Sequence, residues 1–168
     1  VLNYREPMQE MIDLTAGLPE RTLAVDELLV VEGEAPDHLY VLLEGELVVR
    51  RGGDDLIAFD QPGACIGEKA VLLGRPHSSS VVAVQPSTVR VIEGAADRIH
   101  ESPEVLLSVA TLLASRLEMV EAFLSDLQHQ YRDVDGGLGM ISEVLGALAH
   151  HHGPKARPGS DRDPDPLY

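Results

Sequence analysis

The residues of this chain whose types and spacing can do chemistry lie between positions 62 and 83, in PGACIGEKAVLLGRPHSSSVVA. A Pro62-Gly63 turn leads into a short apolar strand. Gly67-Glu68 follows, then Ala70-Val71-Leu72-Leu73, and Gly74-Arg75-Pro76 turns the chain into the next strand. Glycine at 67 permits close backbone approach. A single helical turn beginning near Glu68 presents the first N–H groups of Glu68, Lys69 and Ala70, and such donors together with the end dipole favour an anion. Glu68 is itself acidic and unsuited to that anion. A carboxylate is better placed to accept hydrogen bonds from a sugar hydroxyl. Together these groups can hold a cyclic sugar-phosphate. Downstream, His77 supplies one hydrogen bond when neutral and a charge only when protonated. Ser78, Ser79 and Ser80 add hydroxyl donors or form a polar strand edge, while Arg75, at a turn, is expected at the surface.

The elements that must position these groups are legible on either side. Residues 7–16 (PMQEMIDLTA) read as a short helix within an N-terminal segment, 1–19. From 20 to 94, seven short runs rich in Val, Leu and Ile (RTLAV, LLVVEG, LYVLLEG, ELVVRR, DLIAF, SVVAV, TVRVIEG) alternate with turn residues at 34–37, Gly45, 52–54, 62–63 and 85–86. Many short strands at near-regular spacing predict a β-roll or barrel-like sandwich. A helical region covers 95–131. Within it Ser102-Pro103-Glu104 reads as a helix start, with a capping hydroxyl, Pro in the first turn and an acid near the positive end of the dipole. Neither Pro nor Gly then occurs up to Tyr131. Leu106, Ala110, Leu113, Leu117, Val120, Leu124, Leu127 and Tyr131 form a continuous a/d seam. Val109, Leu112, Met119 and Phe123 form a second stripe on a neighbouring face. Two apolar faces predict two clients: the roll, and the same helix of a second copy in a homodimer formed through residues 103–131. A short amphipathic helix, Met140 to Ala149, is expected within 132–150, and the polar, Pro-rich residues 151–168 are expected to be disordered.

The stretch 62–83 resembles the phosphate-binding cassette of the cyclic-nucleotide-binding domains, whose pattern is similar to F-G-E-x-A-L-L-x-x-x-P-R-x-A. GEAPDHLYVLLEGELVV, residues 33–49, resembles the paired strands of that family, and the long helix resembles its C-helix, which covers the ligand and often forms the dimer seam. The resemblance spans roughly residues 8–131. It implies a mainly β fold, a β-roll closing on a long C-terminal helix, with cAMP or cGMP as ligand and no other cofactor. It places Glu68 at the ribose 2′-hydroxyl and the amide of Ala70 at the phosphate. Val49 and Ile57 fall where strand side chains line the base, and Val120 and Glu121 fall where the C-helix meets the base in bacterial Crp-type regulators. One departure stands out: the arginine that pairs with the cyclic phosphate in the family is His77 here. Losing a bidentate charge-assisted contact costs about 1.5–3 kcal/mol, roughly 10- to 100-fold in affinity.

Composition narrows the remaining possibilities. The chain has 168 residues, of which 44% are hydrophobic and only 4% aromatic, which suits one domain with an aliphatic core plus helical additions. The net charge of -15, from 28 acidic and 13 basic residues, repels phosphate backbones and argues against nucleic-acid partners. A Crp-type regulator would carry a winged helix-turn-helix after the C-helix, and the stretch after Tyr131 reads as too short and too acidic for one. No run approaches the roughly 18 apolar residues that span a bilayer, and the first residues lack the apolar core of a secretory signal. The single cysteine, Cys65, allows no internal disulfide, reads as a small buried hydrophobe and suits the cytoplasm. His150-His151-His152, even with His129, lack a rigid geometry for a metal. Glu44 and Glu46 read as a solvated hairpin end. No nucleophile–base pair, P-loop or dinucleotide fingerprint is present. The chain is therefore expected to be a non-enzymatic sensor acting through its dimer or a partner protein; the alternative is an interaction module with a degenerate pocket.

Overall fold

The computed structural model describes residues 5–130. A helix, α1 (Arg5–Leu14), precedes five strands: β1 (Glu20–Leu23), β2 (Leu28–Val30), β3 (Leu39–Glu44), β4 (Leu47–Arg51) and β5 (Asp54–Phe59). Then come β6 (Cys65–Ile66), α2 (Glu68–Leu73), β7 (Ser80–Ala83), β8 (Ser87–Ile92), α3 (Ala95–Glu101) and α4 (Pro103–Gln130). The strands form two four-stranded sheets, ordered β1-β8-β3-β6 and β2-β7-β4-β5, with antiparallel pairings. This is the expected roll.

The alternation of side chains along β3 explains its unbroken apolar run. Successive residues of a strand face opposite sides. Tyr40 and Leu42 enter the core between the sheets, with Leu23, Leu29, Val30, Leu47, Ile66, Val81 and Val89. Leu39 and Val41 face the other way, into a second core shared with Met11, Ile92, Ile99, Val109 and Leu112 of the helices and β8. A strand buried on both faces must be apolar at every position. Cys65 is fully buried in the helix-side core.

Helix ends have chemical causes. The Thr15 hydroxyl donates to the carbonyls of Met11 at 2.7 Å and Ile12 at 3.2 Å, and Arg90 Nη1 donates to Ile12 O at 2.8 Å. These bonds satisfy last-turn carbonyls of α1, so the helix stops at Leu14, short of the expected Ala16. Ser102 caps α4 as expected: its Oγ accepts from the Val105 N–H at 3.5 Å and donates to Glu104 at 3.3 Å. The solvated reading of Glu44 and Glu46 is incomplete, since they accept hydrogen bonds from Thr88 and Gln85 across the turn at Gly45.

The roll and α4 through Ser115 form one compact unit, and α4 from Arg116 onward belongs to another, described by itself. In the first, Val109 and Leu112 are buried against the helix-side core, while Leu106 and Ala110 are exposed and Leu113 is half-buried. In the second, Leu117, Met119, Val120 and Phe123 are all exposed and Leu124 is half-buried. The side chains of Leu127 and His129, and all of Tyr131, the 140–149 segment, the triple histidine and the tail, lie outside the described residues. Among the described residues no helix is long and apolar enough to cross a membrane.

Candidate functional site

The site begins at a backbone position that requires glycine. Gly67 has φ 93° and ψ −9° and immediately precedes α2. A Cβ added there would stand 3.1 Å from the His38 carbonyl oxygen and 3.6 Å from His77 Cε1. Gly67 thus permits both the left-handed turn and the close approach of two other segments. The first hydrogen bond of this helical turn runs from Val71 N–H to Gly67 O at 3.2 Å. The amides of Glu68, Lys69 and Ala70 therefore have no carbonyl of their own helix to reach. α2 ends at Gly74, whose N–H turns back to Ala70 and Val71. Arg75, expected at the surface, is half-buried, and its N–H donates to Ala70 O at 3.1 Å.

Glu68 and Ala70 are buried, at 7% and 5% exposure, whereas Lys69 is exposed. A carboxylate at the start of a short helix would ordinarily face water. Its burial here places an acceptor inside the fold, beside the turn. His77 comes to the same place from the strand side. Its N–H donates to Glu34 O at 2.9 Å, and its carbonyl accepts from the Gly33 N–H at 2.8 Å, which clips the β2–β3 loop to the segment after α2. Burial pushes the His77 imidazole below its ordinary value; the charges of Glu34 and Glu68 pull the other way without reversing the shift. The ring is therefore mainly neutral at pH 7.

A cavity of about 180 Å³ lies beside His77, lined by Leu29, Val30 and Val31 of β2 and its end, Glu34, Ala35 and Asp37 of the loop, and His38 and Tyr40. A wider groove along α1, lined by Glu6, Gln9, Glu10, Asp13 and Leu14, is more open to solvent and acidic. It carries no converging donors for an anion, so the smaller cavity is the chemically relevant one.

The structure brings Gly67, Glu68, Ala70 and His77 together. Ser78 and Ser79 follow as half-buried residues, and the Ser80 hydroxyl accepts the Glu32 N–H at 3.0 Å, which gives it a structural task. Val49 is partly buried against the inter-sheet core and pairs in register with Ile57, which is 57% exposed at the edge of its sheet. Val120 and Glu121 are exposed on the second unit of α4. Sequence reasoning passed over His38, Tyr40, Glu34 and Asp37. The alternation of Leu39-Tyr40-Val41-Leu42 could have placed Tyr40 inside, but a histidine in the loop before β3 gives no such signal. Among the described residues no group of three His, Cys, Asp or Glu side chains is arranged to hold a metal.

Residues 20–96 match the family model described as the cyclic nucleotide-binding domain. Solved structures share the fold. The N-terminal domain of a transcriptional regulator from Streptomyces coelicolor A3(2) is 25% identical with TM-score 0.51, over 73% of this chain and 93% of that one. The catabolite activator protein of Thermus thermophilus is 21% identical with TM-score 0.57, over 87% of this chain and 88% of that one. CBD2 of PKAR, with Sp-2Cl-cAMPS bound, is 18% identical with TM-score 0.52, over 74% of this chain and 88% of that one. The matched segment contains both sheets, α2 and His77, so the whole roll of this chain, residues 20–96, is a match to the cyclic nucleotide-binding domain family.

Proposed function

We propose that the chain is a cyclic-nucleotide sensor, free of enzymatic activity, whose roll takes cAMP or cGMP at the Gly67–Ala70 turn and whose α4 relays occupancy to a second copy or to a partner protein. The observation that carries this reading is the buried carboxylate of Glu68 next to the left-handed Gly67. In this reading the amides of Glu68, Lys69 and Ala70 meet the cyclic phosphate and Glu68 accepts from the ribose. His77 and Ser78, with Ser79 beside them, flank the phosphate, while Val49 and Ile57 meet the base. The bound analogue in the PKAR domain supports the ligand class. The single cysteine and the character of the ligand support a cytoplasmic setting.

Calorimetric titration with cAMP and cGMP at pH 6 and pH 8 tests the reading. Saturable binding of either nucleotide is the expected result, tighter at pH 6. The sign comes from His77: burial favours its neutral form in the free protein, and a bound anion favours the protonated form, so binding must draw in a proton and strengthen as pH falls. Silence at millimolar nucleotide at both pH values favours the second reading, an interaction module with a degenerate pocket. The specific observation on that side is the neutral His77 where the family carries arginine. Restoring the charge discriminates further. His77→Arg is expected to tighten binding by about 1–2 kcal/mol, roughly 5- to 30-fold, and to flatten the pH dependence. Unchanged or weaker binding would show a pocket rebuilt around the histidine.

The dimer has its own test. Leu117 and Val120 lie on the expected seam at 49% and 50% exposure, and covering that remaining half against a second copy would contribute roughly 1 kcal/mol per side chain. The double substitution Leu117→Glu with Val120→Glu is expected to convert a dimer to a monomer in light scattering, leaving the roll folded. A wild-type mass equal to one chain at tens of micromolar would rule the dimer out.

A further inference from the structure

The cavity beside His77 contains a second imidazole that the nucleotide reading does not use. His38 is held against the same point of the backbone as His77: the Cβ position of Gly67 lies 3.1 Å from the His38 carbonyl oxygen and 3.6 Å from His77 Cε1. Both residues line the one cavity. The His38 ring stands edge-on to Tyr40, with centroids 6.1 Å apart at 86°, which fixes its plane. Its Nε2 lies 3.6 Å from Asp37 Oδ2. Its Nδ1 is buried and has no hydrogen-bond partner among the described residues. A buried, unpartnered ring nitrogen is unfavourable unless something arrives to bond it.

We propose that His38 and His77 act together as the anion-binding pair of this pocket, in place of a single arginine, and that the cyclic phosphate binds with proton uptake at His77. The inference rests on the nucleotide reading and names how that site holds its anion. One neutral imidazole gives one hydrogen bond and no charge, too little to replace a bidentate guanidinium. Two imidazoles supply two ring donors from separate segments, one before β3 and one after α2.

Charged groups surround the pair. Glu34 and Asp37 face the rings from the loop, Glu68 from α2 and Tyr40 from β3, with Arg21 of β1 near Tyr40. Burial raises the Tyr40 phenol, and the Asp37 and Glu34 charges add to this against the opposing pull of Arg21, so Tyr40 remains a neutral donor. Three carboxylates repel a phosphodiester from the pocket, and proton uptake at His77 offsets part of that repulsion. The cavity, about 180 Å³, is smaller than the roughly 300 Å³ at which small-molecule pockets begin. It suits the phosphate end of a nucleotide, leaving the base toward Val49 and Ile57.

The test counts protons. The full chain is titrated with cAMP and cGMP by calorimetry at pH 7.5 in two buffers of different ionisation enthalpy, and the difference in heat gives the protons taken up. Wild-type uptake is expected to reach up to about one proton and to be lost in His77→Gln. His38→Gln is expected to bind roughly 10-fold more weakly. Affinity unchanged by His38→Gln would overturn the pair while leaving nucleotide binding intact. Should His38→Gln fail to fold, a His38 ring whose signals do not shift in ¹H–¹⁵N spectra of the wild-type chain as nucleotide saturates it would overturn the pair without any variant. Absence of heat from either nucleotide even at pH 6 would remove the nucleotide reading, and the pair with it.

Discussion

Gly45→Ala is expected to destabilise the roll by about 3 kcal/mol or more, the sum of left-handed strain and overpacking. Gly45 sits between β3 and β4 with φ 95°. A Cβ there would collide with the Ser87 hydroxyl and come within 2.6 Å of Pro86 O and Ser87 Cα. Two of these neighbours are backbone and cannot rotate away. The third is already committed: Ser87 Oγ accepts the Glu46 N–H at 3.1 Å and donates to Gln85 O at 2.8 Å. Moving Ser87 would also pull on the β3–β8 ladder, which already carries a register shift between Leu42 and Glu44. Gly52→Ala provides the control. Gly52 has φ 60° with nothing near its Cβ position, so only strain applies, about 1–2 kcal/mol. Urea unfolding of the two variants measures the difference. Equal midpoints would mean that the turn relaxes freely and that the crowding at Ser87 has no energetic weight.

Glu68→Ala is expected to weaken cyclic-nucleotide binding by about 10- to 100-fold, the usual loss for a hydrogen bond to a charged group. The carboxylate is the one acidic group buried at the turn, and a ribose hydroxyl is the partner that suits it. Glu68→Gln keeps the shape and one acceptor and is expected to fall between wild type and Ala. Calorimetry reads the affinities, and circular dichroism confirms that each variant is folded. Wild-type affinity in Glu68→Ala would mean that the ligand sits elsewhere in the roll.

How much of the fold and site is legible in the sequence varies with the physics behind each signal. Strands β3, β4 and β8 are legible because their apolar runs are bounded by turn residues whose conformations are chemically constrained, such as Gly45. The start of α4 is legible because capping is local, and Ser102 does what its type implies. The end of α1 is not, because it depends on Arg90, 78 residues away in sequence, reaching Ile12 O. Within the site, Gly67 and Glu68 are marked by type and spacing along one short segment, and His77 by the resemblance of that segment to the family pattern. His38 is invisible for the opposite reason: it joins the site through folding, as the β2–β3 loop is clipped to His77 by backbone bonds at 2.8 and 2.9 Å. Its role is a property of tertiary approach, which spacing along the chain does not encode.

The amides at the start of α2 carry the central claim, and they can be observed one by one. In ¹H–¹⁵N spectra of the labelled chain, titration with cAMP or cGMP is expected to shift the Gly67, Glu68, Lys69 and Ala70 amides saturably, in step with the His77 ring. Saturable shifts confined to other parts of the roll, or none at millimolar nucleotide, would contradict the assignment of this turn as the anion cradle.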